Sequence, residues 1–373
     1  MTTSPLTRTA NTALPLWPLI VAVCLLAALV WSDSMRAVTP MLNVIASAAS
    51  EPNFYSSALA GLGLLGGGAL AHWLQTHKRS GQGFAQACGS GLWVPMLASA
   101  MLGVAISNLV WGWTMASGTW QPLFAPFVSV SPTVVLMFGP DVKTVLTGGV
   151  LGGLVTPPLS VVGAGVVCPR LGVPPVVGVT GGMAIAAVIA FTLCRHLPWL
   201  PEPLRRPAEP SPEVPVKHGP TWVLRRSLAD FSEAQFFGSE WAGIGLIAGA
   251  VVAYLLDPAS PAYGSGLLPQ ILAAQAITAI LAVTIWRRRW ARRPFYPTFV
   301  PVVSVAPACV LTYGGTPASV LAGAVLGAVV GPPLAAAISA RMPADFHPFI
   351  GNVAAMAVAT SLIVPPLQLI PGF

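Results

Sequence analysis

The sequence predicts an all-α polytopic membrane protein with about eleven membrane-spanning helices. Only 8% of its 373 residues are charged, against roughly 25% in soluble domains, and the mean hydropathy is +0.75. Apolar stretches long enough to cross a bilayer, about 20 residues each, recur along the whole chain. The second half of the chain also resembles the first, which indicates an internal repeat.

The composition excludes several other classes of protein. Disordered chains are polar and charged, whereas apolar residue types make up 55% of this one. The net charge of +7 does not indicate nucleic-acid binding, because the basic residues flank apolar segments. The five cysteines have no spacing that suits zinc, so we expect no cofactor. Frequent Ala, Gly, Pro and Arg are typical of a GC-rich bacterial genome and favour a multi-pass protein of the inner membrane.

The apolar segments divide the chain into four regions. The first segment, 14–31, lacks a small-x-small cleavage site and is predicted to be a retained helix. It belongs to an N-terminal region, 1–53, that ends in a short surface or re-entrant stretch. A first half, 54–196, and a second half, 239–373, contain five segments each. The polar, proline-rich stretch 197–238 between them is predicted to be a cytoplasmic linker.

Each half contains five apolar segments, which we number first to fifth. In the first half they are 54–75, 91–113, 121–138, 142–166 and 175–196. In the second half they are 239–256, 267–286, 296–313, 317–340 and 347–370. Within the linker, TWVLRRSLADF (221–231) has the pattern of an amphipathic helix that lies on the inner leaflet.

The third segments carry the clearest repeat. FAPFVSVSPTVVLMFG (124–139) aligns with FVPVVSVAPACVLTYG (299–314) without a gap, at a constant offset of 175 residues. The fourth segments keep this offset, and the other three pairs resemble each other more weakly, as AGLGLLG (60–66) resembles AGIGLIA (242–248). The sequence therefore predicts one N-terminal helix followed by two five-element repeats.

The topology depends on whether the third segments cross the membrane. If they cross, each repeat has five spans and the second repeat is inverted. With a cytoplasmic N-terminus, sixteen of the eighteen lysines and arginines then face the cytoplasm. If the third segments are only re-entrant, the repeats run parallel and the best orientation places thirteen there. The positive-inside rule favours the inverted arrangement, with eleven spans and an external C-terminus.

Inverted repeats are typical of secondary transporters, which bind their solutes where helices are interrupted near the midplane. Prolines predict interruptions in the third segments at SVSPT and SVAPA, and in the fourth at Thr156-Pro157-Pro158 and Gly331-Pro332-Pro333. Backbone groups freed there persist in a membrane only if protein or a wet cavity satisfies them. The predicted substrate-binding residues are Ser129, Ser131, Pro132, Thr133, Thr156, Ser304, Pro307, Tyr313, Gln275 and Asn108.

Structural roles compete with this interpretation. Prolines can simply kink membrane helices, and serines can bond back to the preceding turn. Asp141 and Glu240 are the candidates for coupling to H⁺ or Na⁺, although an acid also suits a helix start. Four glycines are predicted to allow close packing of the fourth segments: Gly148, Gly152, Gly323 and Gly327. Four tryptophans are predicted to be interface anchors: Trp93, Trp111, Trp113 and Trp120.

The leading functional prediction is a secondary-active transporter that moves a small polar or anionic solute by alternating access. Positive helix N-termini at the breaks would suit a carboxylate. The chain has no HExxH, nucleophile-elbow or Walker motif, so an enzyme is not expected. The alternatives are a passive channel or facilitator, and a membrane subunit or lipid-handling protein. The expected partners are the lipid bilayer and the solute, not nucleic acid, and a homo-oligomer is left open.

Overall fold

The computed structural model describes most of the chain from residue 46 onward, and the predicted first helix, 14–31, lies outside the described residues. Among the described residues every regular element is helical and no strand occurs. The described ranges are 46–84, 86–114, 120–203, 218–293, 295–371 and residue 373.

Eleven helices of nine or more residues lie in the described part of the chain. In the first half they are α1 (Ala58–Thr76), α2 (Trp93–Trp111), α3 (Val130–Phe138), α4 (Val142–Val162) and α5 (Pro175–Cys194). They are followed by α6 (Pro220–Asp230), α7 (Glu240–Leu256), α8 (Leu268–Ile285), α9 (Val305–Tyr313), α10 (Pro317–Ser339) and α11 (Phe349–Leu367). A π-helical turn at Gly163–Val167 extends α4.

Six helical segments in this part are long and apolar enough to cross a membrane, as expected of a polytopic membrane protein. They are Trp93–Thr114, Val142–Leu171, Pro175–Cys194, Leu268–Ile285, Pro317–Ser339 and Phe349–Leu367. Three other apolar helical segments are shorter: Ala125–Phe138, Glu240–Leu256 and Val300–Tyr313. Ala125–Phe138 and Val300–Tyr313 belong to the third segments of the two halves, on which the predicted topology depends.

The third segment of each half contains a break. A 3₁₀ turn at Ala125–Val128 meets α3 at Ser129, whose φ of −135° and ψ of −116° are not helical. In the second half the corresponding break lies at Ser304, where φ is −142° and ψ is −82°. Pro132 and Pro307 are the third residues of α3 and α9, where no N–H is needed for an intrahelical bond. Each break therefore lies at the serine that begins the predicted interruption, before the proline.

The fourth segments are continuous helices, so the prediction that their paired prolines interrupt them is wrong. α4 runs through Pro157 and Pro158, and α10 runs through Pro332 and Pro333. A proline has no N–H to bond the carbonyl four residues earlier. That carbonyl needs another donor if the helix is to remain regular inside a membrane.

Two tryptophans supply this donor from neighbouring helices. The carbonyl four residues before the first proline of each pair belongs to Gly153 in α4 and to Ala328 in α10. The indole Nε1–H of Trp111 donates to the Gly153 carbonyl at 3.2 Å, and that of Trp286 donates to the Ala328 carbonyl at 2.9 Å. Trp111, predicted as an interface anchor, thus bonds to the α4 backbone.

Helices α1 and α7 cross in antiparallel directions at two glycines. A Cβ atom at Gly63 would lie 2.7 Å from the carbonyl carbon of Gly245, and a Cβ atom at Gly245 would lie 2.7 Å from that of Gly63. Two further glycine-to-carbonyl contacts flank this one, Gly67 to Trp241 and Gly249 to Leu59. As the residue numbers of these contacts rise along α1, those of the contacted residues fall along α7. The two helices therefore run in opposite directions.

The described end of the predicted linker is folded into the protein. Helix α6 forms where the amphipathic pattern predicts a helix, but Arg226 and Asp230 on it are fully buried. The loop that follows α6 is also largely buried, up to Ser239, whose side chain caps α7. This segment therefore packs within the helical protein rather than lying free on a membrane surface.

Candidate functional site

A cavity of about 820 Å³ lies between residues of both halves of the chain. Its walls include the third segments, the N-terminal halves of α5 and α11, and the loops that precede α1, α2 and α7. Many lining residues occupy equivalent positions in the aligned halves. Such pairs include Phe124 and Phe299, Val128 and Val303, Leu136 and Leu311, and Met183 and Met356.

Two glutamates, Glu51 and Glu233, line this mostly apolar cavity. Glu51 is 8% exposed and Glu233 is 1% exposed. No lysine or arginine is among the described residues that line the cavity. Buried acids in a membrane protein are rare and are functional candidates, so these two carboxylates define the candidate site.

The loops that hold the two glutamates have the same local structure. Ser50 Oγ donates to the Ser57 carbonyl at 2.9 Å and accepts from the Ser57 N–H at 2.9 Å. Ser232 Oγ donates to the Ser239 carbonyl at 2.8 Å and accepts from the Ser239 N–H at 3.0 Å. Three residues after each glutamate the backbone is left-handed, with φ of 67° at Phe54 and 64° at Phe236. Each loop therefore presents its glutamate in the same way, just before a helix.

The two loops are joined by their amides. The Nε2 atom of Gln235 donates to Asn53 Oδ1 at 2.7 Å and to the Ala49 carbonyl at 2.9 Å. Conversely, Asn53 Nδ2 donates to the Phe231 carbonyl at 3.0 Å. All of these groups are buried, and buried amides that bond each other fix the relative position of their loops.

The surroundings of the two carboxylates differ. Glu51 Oε1 accepts from Ser56 Oγ at 2.6 Å, and its Oε2 accepts from Tyr263 OH at 2.8 Å and Trp120 Nε1 at 3.2 Å. All three donors are neutral. Glu233 instead bonds the Arg226 guanidinium and the Gln86 amide.

Arg226 is the centre of a buried ionic cluster. Its Nη2 atom also bonds Asp230 Oδ1 at 2.6 Å, and that oxygen accepts from Thr298 Oγ1 at 3.1 Å. The guanidinium carbon lies 4.6 Å from the ring centroid of Phe84 and 4.8 Å from that of Trp290. Glu233 therefore has a cation in direct contact, and it shares this cation with Asp230.

Burial raises the pKa of both cavity glutamates, whose loops lie outside the six candidate spans. For Glu51 the hydrogen bonds from Ser56, Tyr263 and Trp120 only partly offset burial. For Glu233 burial and the charge of Asp230 outweigh the opposing effect of Arg226 and together raise the pKa from 4.5 to about 7. Both carboxyls are therefore easier to protonate than exposed glutamates.

No family model matches this chain. No curated protein matches it either.

The predicted polar residues of the third segments are buried away from the cavity wall. Ser129 Oγ donates to the Ala125 carbonyl at 2.7 Å and to Thr156 Oγ1 at 3.3 Å. Thr133 Oγ1 donates to the Ser129 carbonyl at 2.7 Å. Ser304 Oγ repeats the first bond, to the Val300 carbonyl at 2.7 Å. Ser129, Thr133 and Thr156 are thus brought together.

The other predicted binding residues are scattered. Ser131 is fully buried, and Pro132 and Pro307 are buried inside α3 and α9. Tyr313 OH donates to the Val364 carbonyl at 2.5 Å. None of the ten predicted residues lines the 820 Å³ cavity, so their binding role stays a prediction.

The two amides predicted to line a cavity or join helices bond within the protein. Gln275 accepts from Tyr55 OH at 2.7 Å and donates to the carbonyls of Asn53 and Val302. Asn108 is half-buried and donates to the Val104 carbonyl of its own helix at 2.9 Å. Gln275 therefore ties α8 to the Glu51 loop and to the third segment of the second half.

The two coupling candidates occupy helix starts. Asp141 is exposed and caps α4, with its carboxylate accepting from the Lys143 N–H at 2.9 Å. Glu240 is the first residue of α7, is buried, and pairs with Arg225 at 2.6 Å. Neither lines the cavity, and their coupling role also stays a prediction.

The four predicted packing glycines face neighbouring side chains. A Cβ atom at Gly148 would lie 2.6 Å from Ser99 Oγ, and one at Gly152 would overlap Ser131 Oγ. In α10, a Cβ atom at Gly323 would lie 2.8 Å from that of Cys309, and one at Gly327 would lie 2.9 Å from that of Pro301. These contacts leave no room for a side chain where the fourth segments pack against the second and third segments.

The sequence interpretation missed Glu51 and Glu233, although a signal was present. SEPNF (50–54) and SEAQF (232–236) are separated by the same 182 residues as the weakly similar AGLGLLG and AGIGLIA motifs that follow them. The two glutamates therefore belong to a repeat that starts before the predicted boundaries at 54 and 239. Among the described residues, no group of three or more His, Cys, Asp or Glu side chains is placed to hold a metal ion.

Proposed function

We propose that this chain is a secondary-active transporter that moves a small solute by alternating access. The observation that carries the proposal is the cavity lined by both halves, with one buried glutamate from each half on its wall. Transporters built from repeats hold their solute at the repeat interface. The cavity volume of about 820 Å³ is that of a small-molecule site.

The proposal includes two inverted repeats, and several pairs of contacts support it. The serine bonds of the Glu51 and Glu233 loops match, as do the Trp111 and Trp286 bonds to the α4 and α10 backbones. α1 and α7 run antiparallel. A two-fold axis in the membrane plane reverses a spanning helix, whereas an axis along the membrane normal does not. The antiparallel pair therefore favours inverted over parallel repeats.

We further propose eleven spans in the bacterial inner membrane, with a cytoplasmic N-terminus. The distribution of lysine and arginine supports this orientation. The third segments would then cross as broken helices, each supported by its neighbours. Lipid and solute are the proposed partners, and a homo-oligomer remains open.

The side chains that line the cavity bear on the charge of the solute. The sequence predicts a polar or anionic solute because helix N-termini are positive. Among the described residues of the wall, however, the acidic side chains are Glu51 and Glu233, and no lysine or arginine accompanies them. An anion would meet carboxylates there without a lysine or arginine, which favours a neutral or cationic solute.

Uptake into proteoliposomes tests the transporter proposal. A mixed library of small acids, amino acids, amides and amines is offered with and without proton and sodium gradients. Leu136→Trp fills the cavity wall, whereas Leu146→Trp is the control because Leu146 is 51% exposed on α4. We expect gradient-driven accumulation that Leu136→Trp abolishes and Leu146→Trp keeps.

Two results would contradict the proposal. Equilibration without accumulation under any gradient would identify a passive channel or facilitator. Absence of flux for every solute would point instead to a lipid-handling protein or a membrane subunit.

A further inference from the structure

Trp120 and Tyr263 donate to Glu51 at one end of the cavity, and two further rings, Phe124 and Phe54, pack against them. The ring centroids of Trp120 and Tyr263 are 5.8 Å apart, those of Trp120 and Phe124 are 6.2 Å apart, and those of Phe54 and Tyr263 are 6.5 Å apart. All four rings and Glu51 line the cavity. Aromatic faces and a carboxylate thus border the same space.

The carboxylate of Glu51 has no ionic partner among the described residues. Its hydrogen bonds come from a hydroxyl, a phenol and an indole. Glu233, the corresponding acid of the second half, pairs with Arg226. The two halves therefore differ in one respect that matters for a ligand, because a guanidinium contacts Glu233 whereas no cationic side chain of the described residues contacts Glu51.

We infer that Glu51 and the rings of Phe54, Trp120, Phe124 and Tyr263 form a binding subsite for an organic ammonium cation. This inference rests on the proposed function, because it names the solute class of the same cavity. Aromatic faces attract cations through the ring quadrupole, and a desolvated setting strengthens the attraction. A bound cation favours the ionised form of the Glu51 carboxyl, which then adds a full negative charge where water is largely excluded.

The rings also argue against an inorganic metal ion as the ligand. Among the described residues, Glu51 belongs to no group of three His, Cys, Asp or Glu side chains that holds a metal. Ca²⁺ and Mg²⁺ need several oxygen ligands, whereas this end of the cavity offers mainly ring carbon. A bulky cation with apolar substituents on nitrogen fits such a wall.

Equilibrium binding to the full-length protein in nanodiscs tests the inference without requiring flux. The probes are choline, its neutral carbon isostere 3,3-dimethylbutan-1-ol, and tetraalkylammonium ions from tetramethyl to tetrapropyl. We expect choline to bind at least about tenfold more tightly than its isostere, because the two differ only in charge.

Substitutions then localise the subsite. Glu51→Gln should weaken choline binding at least about tenfold, whereas Glu51→Asp keeps the charge and should retain the preference for choline over the isostere. Trp120→Leu removes a ring and should weaken binding, whereas Trp120→Phe keeps an aromatic face and should retain most of it. Thermal unfolding identifies any variant that fails to fold. In that case the choline binding of the conservative variant, Glu51→Asp or Trp120→Phe, tests whether the subsite exists.

The outcomes separate this inference from the proposed function. Equal binding of choline and its isostere, no binding of any cation, or unchanged binding in Glu51→Gln would overturn the cation subsite. Uptake of an anionic or neutral solute alongside such a result would leave the transporter standing. Cation binding that depends on Glu51, without flux of any solute, would support the subsite and overturn the transporter.

Discussion

Gly63 and Gly245 contact each other through their backbones, and the contact is the same in both directions. A Cβ atom on either residue would lie 2.7 Å from the carbonyl carbon of the other. The two glycines also occupy equivalent places in the similar motifs AGLGLLG and AGIGLIA. A contact between equivalent residues with equal reciprocal distances is what a local two-fold axis between them would produce.

This contact makes α1 sensitive to a single methyl group. Gly63→Ala should lower the free energy of unfolding by about 1–3 kcal/mol, because the added carbon meets backbone that cannot rotate away. Gly66→Ala is the matched control, because nothing lies within 4 Å of its added carbon. Alanine favours helix over glycine by up to about 1 kcal/mol, so this control should be neutral or slightly stabilising.

The measurement is the thermal unfolding midpoint of both variants in nanodiscs. The double variant Gly63→Ala/Gly245→Ala should be less destabilised than the sum of the single variants, because both act on one contact. Equal midpoints for Gly63→Ala and Gly66→Ala would mean that α1 and α7 are not in close contact.

The indole N–H groups that donate to α4 and α10 can be removed by a substitution to phenylalanine, which keeps an aromatic side chain. Trp111→Phe leaves the Gly153 carbonyl without its donor at the point where proline provides none. A buried acceptor without a partner costs about 1–3 kcal/mol, so we expect that loss of stability. Trp113→Phe is the control, because Trp113 is 80% exposed.

Trp286→Phe should repeat the effect of Trp111→Phe in the second half, since its indole bonds the Ala328 carbonyl. The stability of all three variants is measured by unfolding them in urea or by heating. If Trp111→Phe and Trp113→Phe were equally stable, the prolines of α4 would need another explanation.

These tryptophans show what the sequence could and could not predict. The breaks at Ser129 and Ser304 followed from a local pattern, Ser-Val-x-Pro, repeated at one offset. The continuity of α4 depends instead on Trp111, which lies 42 residues before Gly153. Local sequence cannot reveal a donor that only tertiary packing delivers.

The candidate site was harder to predict than the helices. Apolar composition and segment length identified the helical membrane class, and six segments have the required length. Glu51 and Glu233 lie in short stretches outside the apolar segments, where the membrane pattern gives no information about which acids are buried. Serines and threonines inside apolar segments predict a polar site, yet Ser129 and Thr133 bond to backbone carbonyls of the preceding turn.

The proposed inverted topology places two equivalent helix caps on opposite sides of the membrane. Asp141 and Thr316 occupy the same position before α4 and α10, and both are exposed. In a chain whose five cysteines have been replaced, Asp141→Cys should react with a membrane-impermeant maleimide only from the cytoplasmic side. Thr316→Cys should react only from outside. Labelling of both from one side would instead indicate parallel repeats.

The pKa of Glu233 predicts how stability changes with pH. Burial raises this pKa from 4.5 to about 7 in the folded protein. Between these two values the folded state holds more protons than the unfolded state, so stability should fall as pH rises through the window. Above about pH 7 this contribution levels off.

Glu233→Gln tests the assignment, because an amide does not titrate. The groups that face Glu233 are Arg226, Asp230 and Gln86, and Glu51 adds a similar raised carboxyl elsewhere in the cavity. The difference between wild type and Glu233→Gln isolates the Glu233 contribution, about 1–3 kcal/mol across the window. Parallel stability curves for the two proteins would show that Glu233 does not titrate there.

If the chain is the proposed transporter, the buried pair of Arg226 and Asp230 has a consequence for its transport rates. By the 182-residue offset, the counterpart of Asp230 is Ala48, so this ion pair belongs to one half alone. Two identical halves that exchange conformations would give inward- and outward-facing states of equal energy. With the ion pair on one side these energies would differ, and the empty carrier would rest in one orientation. Influx and efflux would then proceed at unequal speeds under equal gradients, a kinetic rectification that leaves the final concentration ratio unchanged.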